Sequence, residues 1–210
     1  MQNPDFKQQW QMATRAANFW LIFIPPLVIA ALLIWMIMKG IAPYNDVSVL
    51  ATKNFWEAIA LHVTSGFCLL CLLRYLHCRD KFYLWGSGIM LVSFAREIHP
   101  PFMSYGVYIG FVWLFYVAYK KPHIFADFLR SKFFVTLLGL GFFTYAFAVS
   151  VDERLWSFVP KERVFHTKLE ETLEVLGHVT VGIALLFASR PKSGSAQMGD
   201  DVPQAIDTDA

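Results

Sequence analysis

Long apolar segments alternate with short polar stretches over most of the chain. Six of these segments approach the roughly 20 residues that a helix needs to cross a hydrocarbon core of about 30 Å. We expect helices at 19–38, 56–76, 83–98, 102–119, 133–151 and 171–189. The pattern therefore predicts an all-α fold, an integral membrane bundle of six transmembrane helices.

The composition strengthens this interpretation. The chain has 210 residues, of which 56% are hydrophobic and 16% charged, an apolar excess that favours a membrane protein over a soluble domain. A net charge of +2 gives no electrostatic support for nucleic-acid binding. We expect three parts: a cytoplasmic or interfacial N-terminal segment at 1–18, a transmembrane domain at 19–190, and a disordered cytoplasmic tail at 191–210.

The basic residues predict the orientation. Eleven Lys and Arg residues fall on the side of the N-terminus and seven on the opposite side. Because cytoplasmic loops carry an excess of Lys and Arg, we expect both termini in the cytoplasm.

The unusual polar residues gather on the predicted outer side. They are Glu57 and His62 opening the second segment, Arg96, Glu97 and His99 closing the third, Asp152, Glu153 and Arg154 after the fifth, and His166, Glu170, Glu171, Glu174 and His178 leading into the sixth. Ionisable groups at membrane depth are costly unless they are paired, and they often mark functional sites.

Two histidines are predicted at a similar depth. At a rise of 1.5 Å per residue, His178 lies about 10 Å and His62 about 9 Å inside their segments. They would meet across the bundle, with Glu174 and Glu97 within reach. A buried ionised carboxylate in this cluster would need a cation or a proton.

Structural roles are also open for some members. Thr167 and Glu170 match a capping box at a helix start. Arg96 and Glu97 match an interfacial ion pair, with Asp152 or Glu153 as further partners.

The preferred chemistry is a metal or cation site in the outer leaflet. Imidazole and carboxylate are the ligand mix for Zn, Mn or Fe, supplied here by His62, Glu97, Glu174 and His178. Arg96 would then bind a second carboxylate or an anionic part of a substrate or cofactor. With an open coordination position the protein would be a metal-dependent membrane hydrolase, with Glu97 and Glu174 as candidate catalytic carboxylates. Whether it is an enzyme stays open.

Three alternatives remain. His62 and His178 would be axial ligands of one b-type haem in an electron-transfer protein, with Arg96 near a propionate. A chain of acids and imidazoles would serve a proton- or ion-coupled transporter or a sensor. A non-catalytic subunit would bind lipid, a small molecule from the outer leaflet, or a partner membrane protein.

Two short motifs carry a resemblance. Phe94-Ala95-Arg96-Glu97-Ile98-His99 resembles the Arg-Glu-x-(Asp/His) signature of a loose group of uncharacterised, small, polytopic bacterial inner-membrane proteins. The run from Glu170 to Glu174 is similar to the Glu-Glu-x-x-Glu that such proteins also carry. The resemblance implies a protein of the bacterial inner (plasma) membrane and no particular activity. A more distant similarity is to the zinc hydrolases of the ceramidase and adiponectin-receptor superfamily. Their His-x3-His pair is absent here, where Glu174-x3-His178 has the analogous spacing, and they have seven spans.

Overall fold

The computed structural model describes residues 17–39, 53–98, 104–159 and 162–188, with Lys7, Gln11, Thr14 and Arg15 before them. Every regular element in these ranges is helical, which confirms the predicted all-α class. The elements are α1 (Phe19–Met38), α2 (Lys53–Cys78), α3 (Lys81–Glu97), α4 (Ser104–Lys120), a 3-10 turn (Pro122–Ile124), α5 (Ala126–Leu129), α6 (Lys132–Asp152) and α7 (Glu162–Phe187).

The six predicted helices correspond to the six long ones, with ends that agree within a few residues except at the start of α7. Helix α7 begins at Glu162, so the predicted capping box is wrong: Thr167 lies inside the helix, and its Oγ1 is 3.1 Å from His166 Nε2. The predicted tail at 191–210, most of the predicted N-terminal segment at 1–18, and His99 lie outside the described residues.

Polar side chains fix where three of the helices begin. Asn18 Oδ1 accepts from the Leu21 amide at the start of α1, and Asp80 Oδ1 accepts from the Phe82 amide at the start of α3. Ser131 does the same for α6. These residue types satisfy amide groups that have no partner within the first helical turn.

Helix α7 lies at the centre of the bundle, where it packs against α1, α2, α3 and α6. The close approach of α2 depends on Gly182, because a Cβ atom at that position would overlap the ring of Phe67. Leu173 and Leu185 are completely buried on the same helix. Small residues at such contacts let helix backbones approach closely. Helix α7, which carries four glutamates, is therefore enclosed by its neighbours.

The C-terminal end of α7 is held by two side chains from other helices. The Tyr83 hydroxyl donates to the Ala188 carbonyl at 2.6 Å, and Arg74 of α2 donates to the Leu186 carbonyl. The Arg74 guanidinium also lies 4.6 Å from the centroid of the Tyr83 ring. The last carbonyl groups of a helix have no partner within it, so these contacts fix the position of α7 along its axis.

In the described part of the chain, three helices are long and apolar enough to cross a membrane: α1, the Phe55–Cys78 part of α2, and α6. A shorter apolar stretch at Gly106–Lys120 lies in α4. Their outer faces carry many large apolar side chains in contact with the surroundings rather than with the core, such as Trp20, Leu32 and Trp113. Length, composition and exposure together indicate a membrane protein.

Candidate functional site

Two polar pairs join the end of α3 to the middle of α7. The Arg96 guanidinium forms an ion pair with the Glu174 carboxylate, to which it donates a hydrogen bond. The next residue, Glu97, has its Oε1 2.9 Å from Nε2 of His178. Two neighbouring residues of α3 thus bind two residues of α7 that are one helical turn apart.

These side chains are enclosed by protein. His178 is 0% exposed, Glu174 6% and Glu97 9%, while Arg96 is half-buried. Burying a charged or polar group is costly unless a partner replaces the lost water. The expected cation for a buried carboxylate is therefore Arg96, and the i,i+4 residues Glu174 and His178 each take a partner from α3.

The Glu97 contact determines how the imidazole presents its two nitrogens. A carboxylate accepts hydrogen bonds, so Nε2 of His178 carries a proton and donates to Glu97. The other ring nitrogen, Nδ1, is buried and has no hydrogen-bond partner among the described residues. The arrangement orients the ring and leaves one nitrogen for a further interaction.

Tyr145 of α6 is the neighbour of this imidazole. The two rings meet edge to face, with their centroids 4.9 Å apart. Gly177 makes room for the tyrosine, since a Cβ atom there would be 3.1 Å from Cδ2 of Tyr145. The Tyr145 hydroxyl is likewise buried and without a hydrogen-bond partner in the described part of the chain.

A cavity of about 300 Å³ lies beside these rings, between α3, α4, α6 and α7. Its wall is mainly apolar, with Ile89, Val107, Phe111, Phe142, Val149 and Val181 among its residues. Its polar contributions come from Ser93, Arg96, Tyr108, Tyr145 and His178. Glu97 and Glu174 stand behind the wall, where they hold His178 and Arg96 in place.

The structure does not bring His62 into this cluster of acids and imidazole. His62 is exposed on α2, and its Nδ1 is 2.6 Å from the carbonyl oxygen of Ala58, one turn earlier in the same helix. The predicted meeting of two imidazoles at one depth is therefore not seen, and the haem alternative has no geometric support from this pair.

Other predicted members of the outer cluster have varied surroundings. Glu171 is buried and Glu170 half-buried on α7, and both take part in polar or electrostatic interactions. Asp152, Glu153 and Arg154 are exposed at the end of α6 and just after it. The partner of Arg96 is Glu174 rather than Asp152 or Glu153.

Metal binding stays a prediction. Within the described ranges, no group of three or more His, Cys, Asp or Glu side chains is placed to hold a metal ion. The donors brought together there are Glu97 and His178, which bind each other. Metal-ligating histidines are commonly oriented by a carboxylate in this way, but a site also needs further ligands.

Sequence reasoning missed Tyr145 and the cavity. A signal for the tyrosine existed, because Tyr145 is the only tyrosine of α6 and interrupts an apolar segment with a hydroxyl group. Buried tyrosines usually find a hydrogen-bond partner. The cavity left no mark on the sequence, since its wall residues are the same types that fill any apolar helix.

Comparison with protein-family models, curated proteins and solved structures finds no match to the chain.

Proposed function

We propose that this protein is an integral membrane protein with six spans, whose cavity binds a lipophilic small molecule that enters from the bilayer. In this proposal both termini are cytoplasmic, and the end of α3 and the first half of α7 lie in the outer leaflet of a bacterial inner membrane. The three apolar helices and the excess of Lys and Arg on the side of the N-terminus support this topology.

The position of the cavity is the observation that carries the proposal. Three of its wall residues, Tyr108 and Phe115 on α4 and Val149 on α6, are also exposed on the outer surface of the bundle. In a six-span topology that surface faces acyl chains. The cavity would therefore open sideways into the membrane, where lipophilic molecules are concentrated.

The wall suits such a molecule. Small-molecule sites are typically concave and mostly apolar, with a few polar groups that fix orientation, and volumes begin near 300 Å³. Here the apolar side chains provide most of the wall, and Tyr145 and His178 are among its few polar residues.

The charges argue against an anionic ligand. Arg96 is paired with Glu174, and the second carboxylate of the cluster, Glu97, binds an imidazole. These four side chains therefore offer no surplus positive charge to an anion, so a neutral ligand is favoured.

Photolabelling in nanodiscs tests this function. A hydrocarbon-chain probe with a photoactivatable diazirine is expected to label peptides of α4 and α6 that line the cavity more strongly than the exposed surface of α1. Val149→Phe fills the mouth of the cavity and should reduce that labelling to the level of α1. Val28→Phe, the same exchange at an exposed position of α1, should leave it unchanged.

Labelling spread evenly over all exposed helix surfaces, and equal in wild type and Val149→Phe, would contradict the proposed function. Circular dichroism of both variants should match wild type, which shows that the bundle is intact.

A further inference from the structure

We infer that the molecule bound in this cavity carries a hydroxyl group, as in a lipophilic alcohol or phenol, which bridges the Tyr145 hydroxyl and Nδ1 of His178. This inference rests on the proposed function and adds the chemical class of the ligand to it.

Tyr145 and His178 both line the cavity, their ring centroids are 4.9 Å apart, and their edge-to-face arrangement does not join Oη to Nδ1. Both atoms are buried, and neither has a hydrogen-bond partner among the described residues. Leaving a buried polar group unpaired is costly, so two such atoms on rings that contact each other favour a ligand that pairs with both.

The protonation of the His178 imidazole decides which ligand group fits. When the imidazole is neutral, Nε2 carries the proton that it donates to Glu97, and Nδ1 accepts a hydrogen bond. When the imidazole is charged, Nδ1 donates. The Tyr145 hydroxyl takes either role.

A ligand hydroxyl matches both situations, because it donates one hydrogen bond and accepts another. Beside a neutral imidazole it donates to Nδ1 and accepts from Tyr145, and beside a charged one it accepts from Nδ1 and donates to Tyr145. An ether or carbonyl oxygen only accepts, so it pairs with Tyr145 but leaves Nδ1 of a neutral imidazole without a partner.

Both rings are held in place by neighbouring residues. Glu97 fixes the imidazole from behind, and the Tyr145 ring rests against the Cα of Gly177, the residue before His178. Groups held by such supporting contacts discriminate between ligands better than mobile ones, because little ordering is needed on binding.

Competition between two matched compounds tests the inference. Hexylphenol and its methyl ether, hexylanisole, share the same hexylphenyl body. In the ether a methyl group replaces the hydroxyl hydrogen, so the oxygen can accept a hydrogen bond but cannot donate one. Each is titrated against the photoactivatable probe in wild-type protein in nanodiscs, and cavity labelling is measured. Hexylphenol is expected to compete about tenfold more strongly, the value of one well-placed buried hydrogen bond.

Two variants test the Tyr145 half of the bridge. Tyr145→Phe removes a hydroxyl that makes no protein hydrogen bond in the described residues, so folding should be retained. Both compounds pair with this hydroxyl, so both should compete about tenfold more weakly, while hexylphenol keeps its preference because it still donates to Nδ1 of His178. Tyr108→Phe removes another cavity-lining hydroxyl, which lies on an exposed residue, and should leave the competition by both compounds unchanged.

The outcomes separate the two proposals. If both compounds compete equally in wild type, or if Tyr145→Phe weakens neither compound, the hydroxyl inference is overturned while the binding function stands. If neither compound competes and the probe does not label the cavity, the proposed function fails.

Discussion

Helices α1 and α7 reverse the ordinary relation between polarity and burial. In α1, the apolar side chains of Trp20 and Leu32 are 75% and 54% exposed. In α7, the ionisable residues Glu174 and His178 are almost completely enclosed. A soluble protein has the opposite arrangement, with apolar residues inside and charged ones outside.

The difference shows which solvent the bundle is built for. Lipid offers no hydrogen bonds, so polar groups must find partners inside the protein, while apolar residues need no protection. The exposed face of α1 therefore needs only apolar side chains, which lipid solvates without specific partners. The central helix depends on particular partners, and changes to α7 and its contacts should be far more damaging than changes to α1.

Breaking the ion pair of α7 should have the largest effect. Arg96→Leu leaves Glu174 buried without its cation and is expected to cost on the order of 3 kcal/mol in the free energy of unfolding. Glu174→Leu leaves the reverse defect and should cost a similar amount. The double variant removes both charges and should recover most of the loss.

These free energies are measured by steric trapping in bicelles, as a double-mutant cycle. Costs that simply add in the double variant would show that the two side chains do not stabilise each other.

A comparison of two leucines tests the same contrast without charges. Leu173 of α7 is completely buried, and Leu173→Ala should cost about 2 kcal/mol, mainly because it leaves a cavity. Leu32 of α1 is exposed, and Leu32→Ala should change stability by less than about 0.5 kcal/mol. Equal costs at the two positions, measured by the same unfolding assay, would show that α1 depends on protein packing as much as α7 does.

Two glycines sharpen the comparison at the contact between α2 and α7. Gly182→Ala places a methyl group against the Phe67 ring, and we expect a loss of about 1 to 2 kcal/mol as the helices move apart. Gly66→Ala is the matched control, since a Cβ atom there meets nothing within 4 Å. It should cause no loss, because alanine favours helix more than glycine does. A Gly182→Ala protein as stable as Gly66→Ala would mean that the close approach is not needed.

Much of the fold follows from the sequence because helices in a membrane must satisfy their own backbone groups. Apolar segment length alone placed α1 at 19–38, and it located the other long helices to within a few residues apart from the start of α7. That start was missed because the amphipathic turns between Glu162 and Glu170 resemble a loop when only apolar length is counted. The short helix α5 was also missed, since four residues carry no periodicity.

The candidate site was predictable in membership but not in pairing. Arg96, Glu97, Glu174 and His178 are conspicuous because charges at membrane depth are rare. Their partners depend on how α3 and α7 are rotated against each other, and that rotation is set by packing. His62 illustrates the limit, because depth along a helix says nothing about which side the imidazole faces.

The adjacent positions of Arg96 and Glu97 have a mechanical consequence. If α7 slid along α3 by one turn, about 5.4 Å, the guanidinium would come level with the imidazole, and both carboxylates would lose their present partners. A slide of half a turn, about 2.7 Å, would also pull both pairs beyond hydrogen-bond distance. The two pairs therefore hold α3 and α7 in one register. We expect the two helices to move as one unit in any motion of the bundle.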